Sequence, residues 1–215
     1  MIHDDDLPDW PLVSKEQLRT RLALMDQDPA QSALPLRVFA YGSLIWKPGF
    51  PVVRAWKARL DGFHRRFCLR SRHYRGTEQV PGLVLGLDTG GTCEGVCLEI
   101  DPAQARIALA YVLERELLGD VYHPATVDLI ATEPRQDSTP QRALSFIVNH
   151  DAPDYAGEMS LAEVAAVLGR AHGQAGANID YFHATVAKLT EWSITDSYLA
   201  DLDERLRSFS GSRKC

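Results

Sequence analysis

A run of charges near the end of an otherwise apolar helix is the first place where the sequence indicates chemistry. Residues 107–118 read Ile-Ala-Leu-Ala-Tyr-Val-Leu-Glu-Arg-Glu-Leu-Leu, which leaves no wide polar face on a helix. At 100° per residue Glu116 falls between Val112 and Leu109, so we expect its carboxylate among apolar side chains. Burial and the negative end of the helix dipole both raise a carboxyl pKa, as a general base near neutral pH requires.

The alternative for Glu116 is an ion pair with Arg115, or with another basic side chain, at a helix end that emerges into water. Most charges at helix ends are solvated, so the pattern alone favours this alternative. At the level of the residues both interpretations stay open.

A second candidate lies in Val38–Trp46, where a strand stops abruptly at a Gly-Ser pair. Such a stop leaves successive backbone N–H groups without ladder partners, and a turn containing glycine can aim them into one concavity. The residues of this turn are Tyr41, Gly42, Ser43 and Leu44. A concavity of N–H groups suits a carboxylate or an oxyanion. The alternative is an ordinary hairpin or strand-to-helix turn, in which Gly-Ser is common.

The cysteine and histidine spacings predict no redox or metal site. No C-x-x-C pair occurs, and we interpret the cysteines as reduced structural thiols. The histidines show neither H-x-H nor H-x-x-x-H spacing, although metal ligands can also come from distant segments. We therefore expect no cofactor and no metal. The residues concerned are Cys68, Cys93, Cys97 and Cys215, and His3, His64, His73, His123, His150, His172 and His183.

Composition narrows the class of protein. The chain has 215 residues, 45% of them hydrophobic, which is enough for one sizeable core in one domain. A formal net charge of -6 makes nucleic acid an unexpected partner. No apolar run approaches the ~18 residues of a membrane helix, and Met1–Trp10 is acidic where a signal peptide would be basic. We expect a cytoplasmic protein that does not bind a membrane. The sequence does not indicate its oligomeric state.

The middle of the chain is rich in predicted strands, and helices follow it. An α+β fold is therefore expected instead of an alternating parallel one. The predicted strands are Leu36–Tyr41, Val52–Leu60, Gly62–Leu69, Gly82–Leu87, Glu94–Ile100, Thr126–Ala131 and Leu144–Asn149. The predicted helices are Lys15–Asp26, Pro102–Leu118, Ser160–Gly169, Asn178–Trp192 and Ser197–Phe209.

Three segments are predicted along the chain. Residues 1–36 form an N-terminal helical extension, residues 37–207 the catalytic domain and residues 208–215 a C-terminal tail. Ser14 and Gln17 have the spacing of a capping box, which places the start of the first helix.

The run Phe39–Lys47 closely resembles the signature of the ChaC family, the glutathione-specific γ-glutamylcyclotransferases. Further family-like segments follow in order, and together they span most of the chain. They are Arg75-Gly76-Thr77, Pro81-Gly82, Cys93-Glu94-Gly95-Val96, Arg115-Glu116, Pro153-Asp154-Tyr155 and Asn178-x-x-Tyr181.

The resemblance implies a mixed β-barrel with surrounding helices and the cleavage of glutathione to 5-oxoproline and cysteinylglycine. The catalytic glutamate of the family follows an arginine at a helix end, so the matching residue is Glu116, and Glu114 is a rival only by proximity. The link between Glu116 and Tyr122 differs from that of many relatives, which makes the place of Tyr122 less certain. The first 36 or so residues lie outside the core match.

In this reaction the nucleophile is the α-amino group of the substrate, so the protein must position an intramolecular attack and move protons. Glu116 is expected to accept and return the proton, and the Gly42-Ser43-Leu44 turn to hold either the γ-oxyanion or the α-carboxylate. Tyr181 is a candidate to bind substrate or, equally, a core tyrosine. Arg75 and Arg72 are candidates for a substrate carboxylate, or surface arginines at a strand end.

Two alternatives to a glutathione-specific enzyme stay open. The protein could act on another γ-glutamyl amide or amine, or it could be a regulator that binds a γ-glutamyl group without turnover. The presence of both the turn and Glu116 argues against the regulator, since a degenerate site would be expected to lose its base.

Overall fold

Five strands close into a mixed β-barrel in the computed structural model, which describes residues 7–8, 12–27, 36–132 and 141–211. Their order around the barrel is β1-β3-β2-β4-β5, and it closes where β1 runs parallel to β5. The predicted α+β fold with a mixed barrel is confirmed. The strands are β1 Arg37–Ala40, β2 Val52–Ser71, β3 Gly82–Ile100, β4 Tyr122–Ala131 and β5 Gln141–Val148.

The two longest strands, β2 and β3, form one antiparallel hairpin, where the sequence predicts four shorter strands. Gly62 has φ 85°, opposite Gly90 and Gly91, which have φ 94° and 71°. The register shifts between Asp61 and Phe63, as at a bulge. These glycines therefore bend the hairpin without ending it, and the predicted strand breaks at residue 61 and over residues 88–93 are wrong.

The described residues contain five α-helices and a small hairpin. The helices are α1 Lys15–Gln27, α2 Ala105–Glu116, α3 Leu161–Leu168, α4 Asn178–Glu191 and α5 Ser197–Gly211. The hairpin consists of β6 His172–Gly173 and β7 Gly176–Ala177. Short 3₁₀ turns occupy Ser43–Ile45, Pro102–Gln104 and Leu118–Asp120.

Local sequence determines where several helices begin. The Gln17 side chain accepts from the Ser14 N–H at 2.9 Å, and the Gln17 N–H donates to Ser14 Oγ at 3.2 Å, so the predicted capping box is confirmed. The helix predicted from Pro102 to Leu118 is instead a 3₁₀ turn followed by α2. Gly119, in the 3₁₀ turn that follows α2, adopts a left-handed φ of 78°.

Helix α2 is buried at every position from Ala108 to Leu113, as its apolar sequence predicts. Helix α1 covers one side of it with the buried side chains of Leu18, Leu22 and Met25. Each such side chain contributes roughly 1.5–3 kcal/mol by leaving water. Helix α1 therefore packs on the helix that carries Glu116.

The predicted C-terminal tail, residues 208–215, is partly helical in the structure. Helix α5 continues to Gly211, so residues 208–211 are helical, whereas residues 212–215 of the predicted tail lie outside the described part. In the described ranges, no helix is both long enough and apolar enough to cross a membrane.

Candidate active site

The turn after β1 is a strand-to-3₁₀ turn that leaves backbone donors free. Ile45 N–H donates to Gly42 O at 3.0 Å, and Lys47 N–H donates to Ser43 O at 2.9 Å. Within the described ranges, the N–H groups of Gly42, Ser43 and Leu44 have no acceptor. The alternative of an ordinary strand-to-helix turn and the expectation of free N–H groups therefore describe the same structure.

Gly42 is closely packed inside this turn. A Cβ atom at this position would lie 3.2 Å from the Tyr181 hydroxyl oxygen and 3.8 Å from Leu85 Cβ. A larger residue at position 42 would therefore press on Tyr181.

Glu116 is the last residue of α2, and its side chain is 15% exposed. Arg115 Nε lies 3.0 Å from Glu116 Oε1, so the ion pair considered as the alternative is present. The emergence into water that the alternative also required is absent. Burial raises the pKa of Glu116, the charge of Arg115 lowers it, and the net shift is upward.

Glu114 faces a different neighbour. Arg21 of α1 lies 3.0 Å from Glu114 Oε2, in a pair whose two side chains are each 16% exposed. This carboxylate therefore helps to join α1 to α2, whereas Glu116 pairs with Arg115.

Arg115 connects Glu116 to the turn. Its Nη2 donates to Ser43 Oγ at 2.9 Å, and its Nη1 donates to the carbonyls of Lys47 at 2.5 Å and Pro48 at 3.2 Å. Arg115 was not among the site residues expected from the sequence, although its position beside Glu116 in the family-like pair was a signal.

Three buried tyrosines surround the carboxylate of Glu116. Burial is the largest cause that raises the pKa of Tyr41, Tyr122 and Tyr181, and the charge of Glu116 adds to it. Their hydroxyls are therefore neutral near pH 7. Tyr122, whose place was uncertain from the sequence, belongs to this group.

The hydroxyls of two of these tyrosines bind the barrel wall. Tyr41 donates to Phe146 O at 2.9 Å, and Tyr122 donates to Leu85 O at 2.7 Å. These bonds fix both side chains on the barrel strands β5 and β3, close enough to Glu116 for its charge to raise their pKa values.

Tyr181 is positioned by the first turn of α4. The side chain of Asn178, fully buried, accepts from Leu83 N–H at 2.6 Å and donates to Leu83 O at 2.7 Å, which fixes α4 on β3. The Tyr181 ring packs edge-on against Trp46 and Phe67, at 5.6 and 5.9 Å between centroids. Tyr181 is thus packed in the core and adjacent to the turn at once.

The two candidate arginines of the 72–81 loop already have partners. Arg75 Nη1 donates to the carbonyls of Ala175 at 2.7 Å and Ala177 at 3.2 Å, and its Cζ lies 5.6 Å from the Tyr181 ring. Arg72 pairs with Asp154 at 2.6 Å and with Glu78 at 3.1 Å. Arg75 is therefore near the tyrosine group, while the charge of Arg72 is balanced by two carboxylates.

The described residues contain no group of three or more His, Cys, Asp or Glu side chains placed to hold a metal ion. Cys68, Cys93 and Cys97 are free and buried, and burial raises their pKa values to about 12, 11 and 12. They are protonated near neutral pH, in agreement with their interpretation as structural thiols. Cys215 lies outside the described residues.

Known proteins resemble this chain over most of its length. The family model of the ChaC-like protein matches residues 36–208. The chain is 30% identical over 168 residues to the glutathione-specific γ-glutamylcyclotransferase of Escherichia coli K12, covering 78% of this chain and 71% of that one. It is 33% identical over 157 residues to glutathione-specific γ-glutamylcyclotransferase 1 of Danio rerio, covering 72% and 79%.

The fold is similar to that of a solved structure. The crystal structure of a γ-glutamyl cyclotransferase specific to glutathione from yeast aligns with a TM-score of 0.73 at 23% identity. The alignment covers 81% of this chain and 96% of the yeast chain. This similarity supports the barrel with its surrounding helices.

Proposed function

The chain belongs to the ChaC-like protein family, and from this premise we propose that it is a glutathione-specific γ-glutamylcyclotransferase, a lyase. The observation that carries the proposal is the buried carboxylate of Glu116, tied through Arg115 to a turn with free N–H groups. A base and a set of oxyanion donors are the two groups that this cyclisation requires.

The reaction needs no nucleophile from the protein. The α-amino nitrogen of glutathione attacks its own γ-carbonyl carbon, which forms the five-membered ring of 5-oxoproline. The bond from that carbon to the cysteine nitrogen then breaks, and cysteinylglycine leaves. Well-oriented intramolecular attacks reach effective molarities of about 10⁵ M or more, so holding the substrate in a bent conformation supplies much of the rate.

Glu116 moves the proton. The α-amino group arrives as an ammonium, and the carboxylate accepts its proton before attack. The resulting acid protonates the departing cysteine nitrogen, which regenerates the carboxylate. The carboxylate then takes the second proton of the ring nitrogen, which leaves the lactam N–H of 5-oxoproline, and passes it to the released amine, so the protein returns to its initial state. Its Oε1 faces Arg115, while Oε2 has no hydrogen-bond partner among the described side chains and N–H groups, which supports Oε2 as the atom that takes the proton.

The turn holds the γ-glutamyl group. The N–H groups of Gly42, Ser43 and Leu44 can stabilise the negative charge that develops on the γ-oxygen, or they can bind the α-carboxylate. Both uses need the same concavity, and the choice between them stays part of the proposal.

The tyrosines and Arg75 complete the substrate-binding surface in this proposal. Tyr41 and Tyr181 line the space beside Glu116, and their neutral hydroxyls can bind polar atoms of the substrate. The Nη1 atom of Arg75 donates to two backbone carbonyls. We therefore propose that Arg75 binds a substrate carboxylate only through its remaining N–H groups.

The test is release of 5-oxoproline from glutathione by the purified protein, followed by liquid chromatography and mass spectrometry. We expect stoichiometric 5-oxoproline and cysteinylglycine without any added metal or cofactor. Glutathione should also be cleaved in preference to γ-glutamyl dipeptides and γ-glutamyl amines when the substrates are mixed. A preference for one of those substrates would support cyclotransferase activity but contradict specificity for glutathione. Binding of glutathione without release of 5-oxoproline would favour a regulator.

A cytoplasmic location is also proposed. The three buried free thiols in the described part of the chain and a thiol-containing substrate both fit a reducing compartment. Fractionation of cells that express the protein at its natural level tests this, and recovery in an oxidising compartment would contradict it.

A further inference from the structure

Arg115 and Glu116 form a contact that an α-helix does not make by default. Adjacent residues on a helix diverge by 100°, so their side chains do not normally face each other. Here the Arg115 Nε atom nevertheless lies 3.0 Å from Glu116 Oε1. Some other group must therefore hold the guanidinium in this direction.

The segment that follows the turn supplies that hold. The Nη1 atom of Arg115 donates to the carbonyls of Lys47 and Pro48, and Nη2 donates to Ser43 Oγ. The Arg115 side chain is only 9% exposed. Because a guanidinium is planar with its N–H groups in a fixed fork, these three acceptors determine where Nε points.

We propose that Arg115 is a positioning residue that sets the distance between the carboxylate of Glu116 and the donor turn Tyr41–Leu44. Its single contact to Oε1 also leaves Oε2 for the substrate ammonium. This inference rests on the proposed function, because it assigns a role within the same reaction.

Arg115 also supplies the charge that keeps Glu116 ready to accept a proton. The groups that face Glu116 are Arg115 and Tyr111 from α2, and Tyr41, Tyr122 and Tyr181 from the segments around it. The tyrosines are neutral, so Arg115 is the cation that offsets burial. Loss of this charge is expected to raise the pKa of Glu116 further.

Two substitutions separate position from charge. Arg115→Met keeps most of the apolar stem and removes both charge and fork. Arg115→Lys keeps the charge, but one ammonium cannot reach Glu116, Ser43 and the two carbonyls together. We expect kcat to fall roughly 10²-fold in Arg115→Met and at least ~10-fold in Arg115→Lys, because misplacement by about 1 Å has effects of this size.

The pH profile is the readout that a merely structural role would not move. In Arg115→Met the rise of kcat with pH should shift to higher pH, and in Arg115→Lys it should stay near that of the wild type. The matched control is Arg21→Met, which removes the partner of Glu114 two residues earlier on α2. This control should keep both kcat and the pH profile.

The link to the turn is tested with Ser43→Ala alone and combined with Arg115→Met. If Ser43 Oγ acts by holding the guanidinium, its removal lowers kcat in the wild type and has little further effect once Arg115 is gone. Additive losses would show that Ser43 acts independently of Arg115 and would overturn the proposal that the contact with Ser43 positions Arg115. The Arg115→Lys and Ser43→Ala variants carry the test if Arg115→Met does not fold.

A measurement that needs no turnover separates this inference from the proposed function. In protein labelled with ¹³C at glutamate Cδ, the Glu116 signal is identified by its loss in Glu116→Gln and titrated with pH. A higher pKa in Arg115→Met supports the inference even if glutathione is not the substrate. A Glu116 pKa in Arg115→Met equal to that of the wild type would overturn the inference. So would a wild-type kcat in Arg115→Lys.

Discussion

Asp88 on β3 and Glu116 on α2 are both carboxylates in buried surroundings, with side chains 5% and 15% exposed, but their neighbours differ. Asp88 accepts from Thr89 N–H at 2.8 Å and from the Tyr155 hydroxyl at 3.1 Å, and His150 Nε2 lies 2.7 Å from Oδ1. Among the residues that the structure describes, Glu116 has only the ion pair with Arg115.

The two pKa shifts follow from this difference. Burial raises the pKa of Asp88, but the contacts with His150, Thr89 and Tyr155 outweigh burial and bring it below its ordinary value. For Glu116, burial outweighs Arg115 and the pKa rises. A carboxylate surrounded by donors is a fixed structural anion, whereas one left short of donors can exchange a proton.

The largest expected effect comes from neutralising the carboxylate that lacks donors. Glu116→Gln should lower 5-oxoproline release at least ~10²-fold, because the amide cannot take the ammonium proton. The measurement is product formation under saturating glutathione, with circular dichroism to show that the fold is kept. Glu114→Gln, on the same helix, is the control and should retain activity. A folded Glu116→Gln enzyme with normal turnover would remove Glu116 from the mechanism.

Asp88→Asn should instead act on stability. It should lower the free energy of unfolding by roughly 2 kcal/mol near neutral pH, because the donors around it lose a charged acceptor. A carboxyl with a lowered pKa stabilises the fold above its ordinary pKa and stops doing so as pH falls through the folded value. Urea unfolding should therefore show a difference from wild type that shrinks in acid.

The control for Asp88→Asn is Asp61→Asn, an exposed aspartate on β2 whose side chain is 56% accessible. It should change stability by less than about 0.5 kcal/mol. A difference for Asp88→Asn that stays constant from neutral to acid pH would contradict the assignment of Asp88 as a structural anion.

Removing one donor from Asp88 should have a smaller effect. Tyr155→Phe deletes the hydroxyl that donates to Oδ2 and should lower the free energy of unfolding by about 1 kcal/mol. Tyr74→Phe is the matched control, since Tyr74 is a loop residue that is 46% exposed. Equal stability changes in the two variants would mean that the Tyr155 bond contributes nothing.

The smallest effect, of opposite sign, is expected for the stability of Glu116→Gln. A raised pKa means that the fold is stabilised by Glu116 below its ordinary pKa and loses this contribution as pH rises through the folded value. The neutral amide escapes that loss. The melting temperature of Glu116→Gln relative to wild type should therefore increase as pH rises, and a decrease would contradict the raised pKa.

Much of the fold could be predicted because the signals are local. The capping box of Ser14 and Gln17 is made within one turn of helix, and the apolar run in α2 is buried as its pattern requires. The continuation of β2 through Gly62 and of β3 through Gly90 could not be predicted. A glycine that ends a strand and one that bends it look alike until the partner strand is known.

The candidate site was predictable in its parts but not in its connections. Glu116 and the Tyr41–Leu44 turn were selected from sequence, and their roles stay predictions until the variants are assayed. The arms of Arg115 to Ser43 and Lys47 join segments about 70 residues apart, which no local spacing reports. The ion pair between Glu114 and Arg21 could likewise not be predicted from the sequence.

The sequence by itself determined that a carboxylate would end an apolar helix and that a strand would stop at a glycine turn, because both depend on neighbours within one turn of chain. Only the tertiary structure decided how far each carboxylate is supplied with donors. The donors of Asp88, Tyr155 and His150, come from distant segments. The donor of Glu116 is its neighbour Arg115, which the distant turn holds in place. The balance between burial and donors, which sets the pKa, therefore emerges only when the barrel closes.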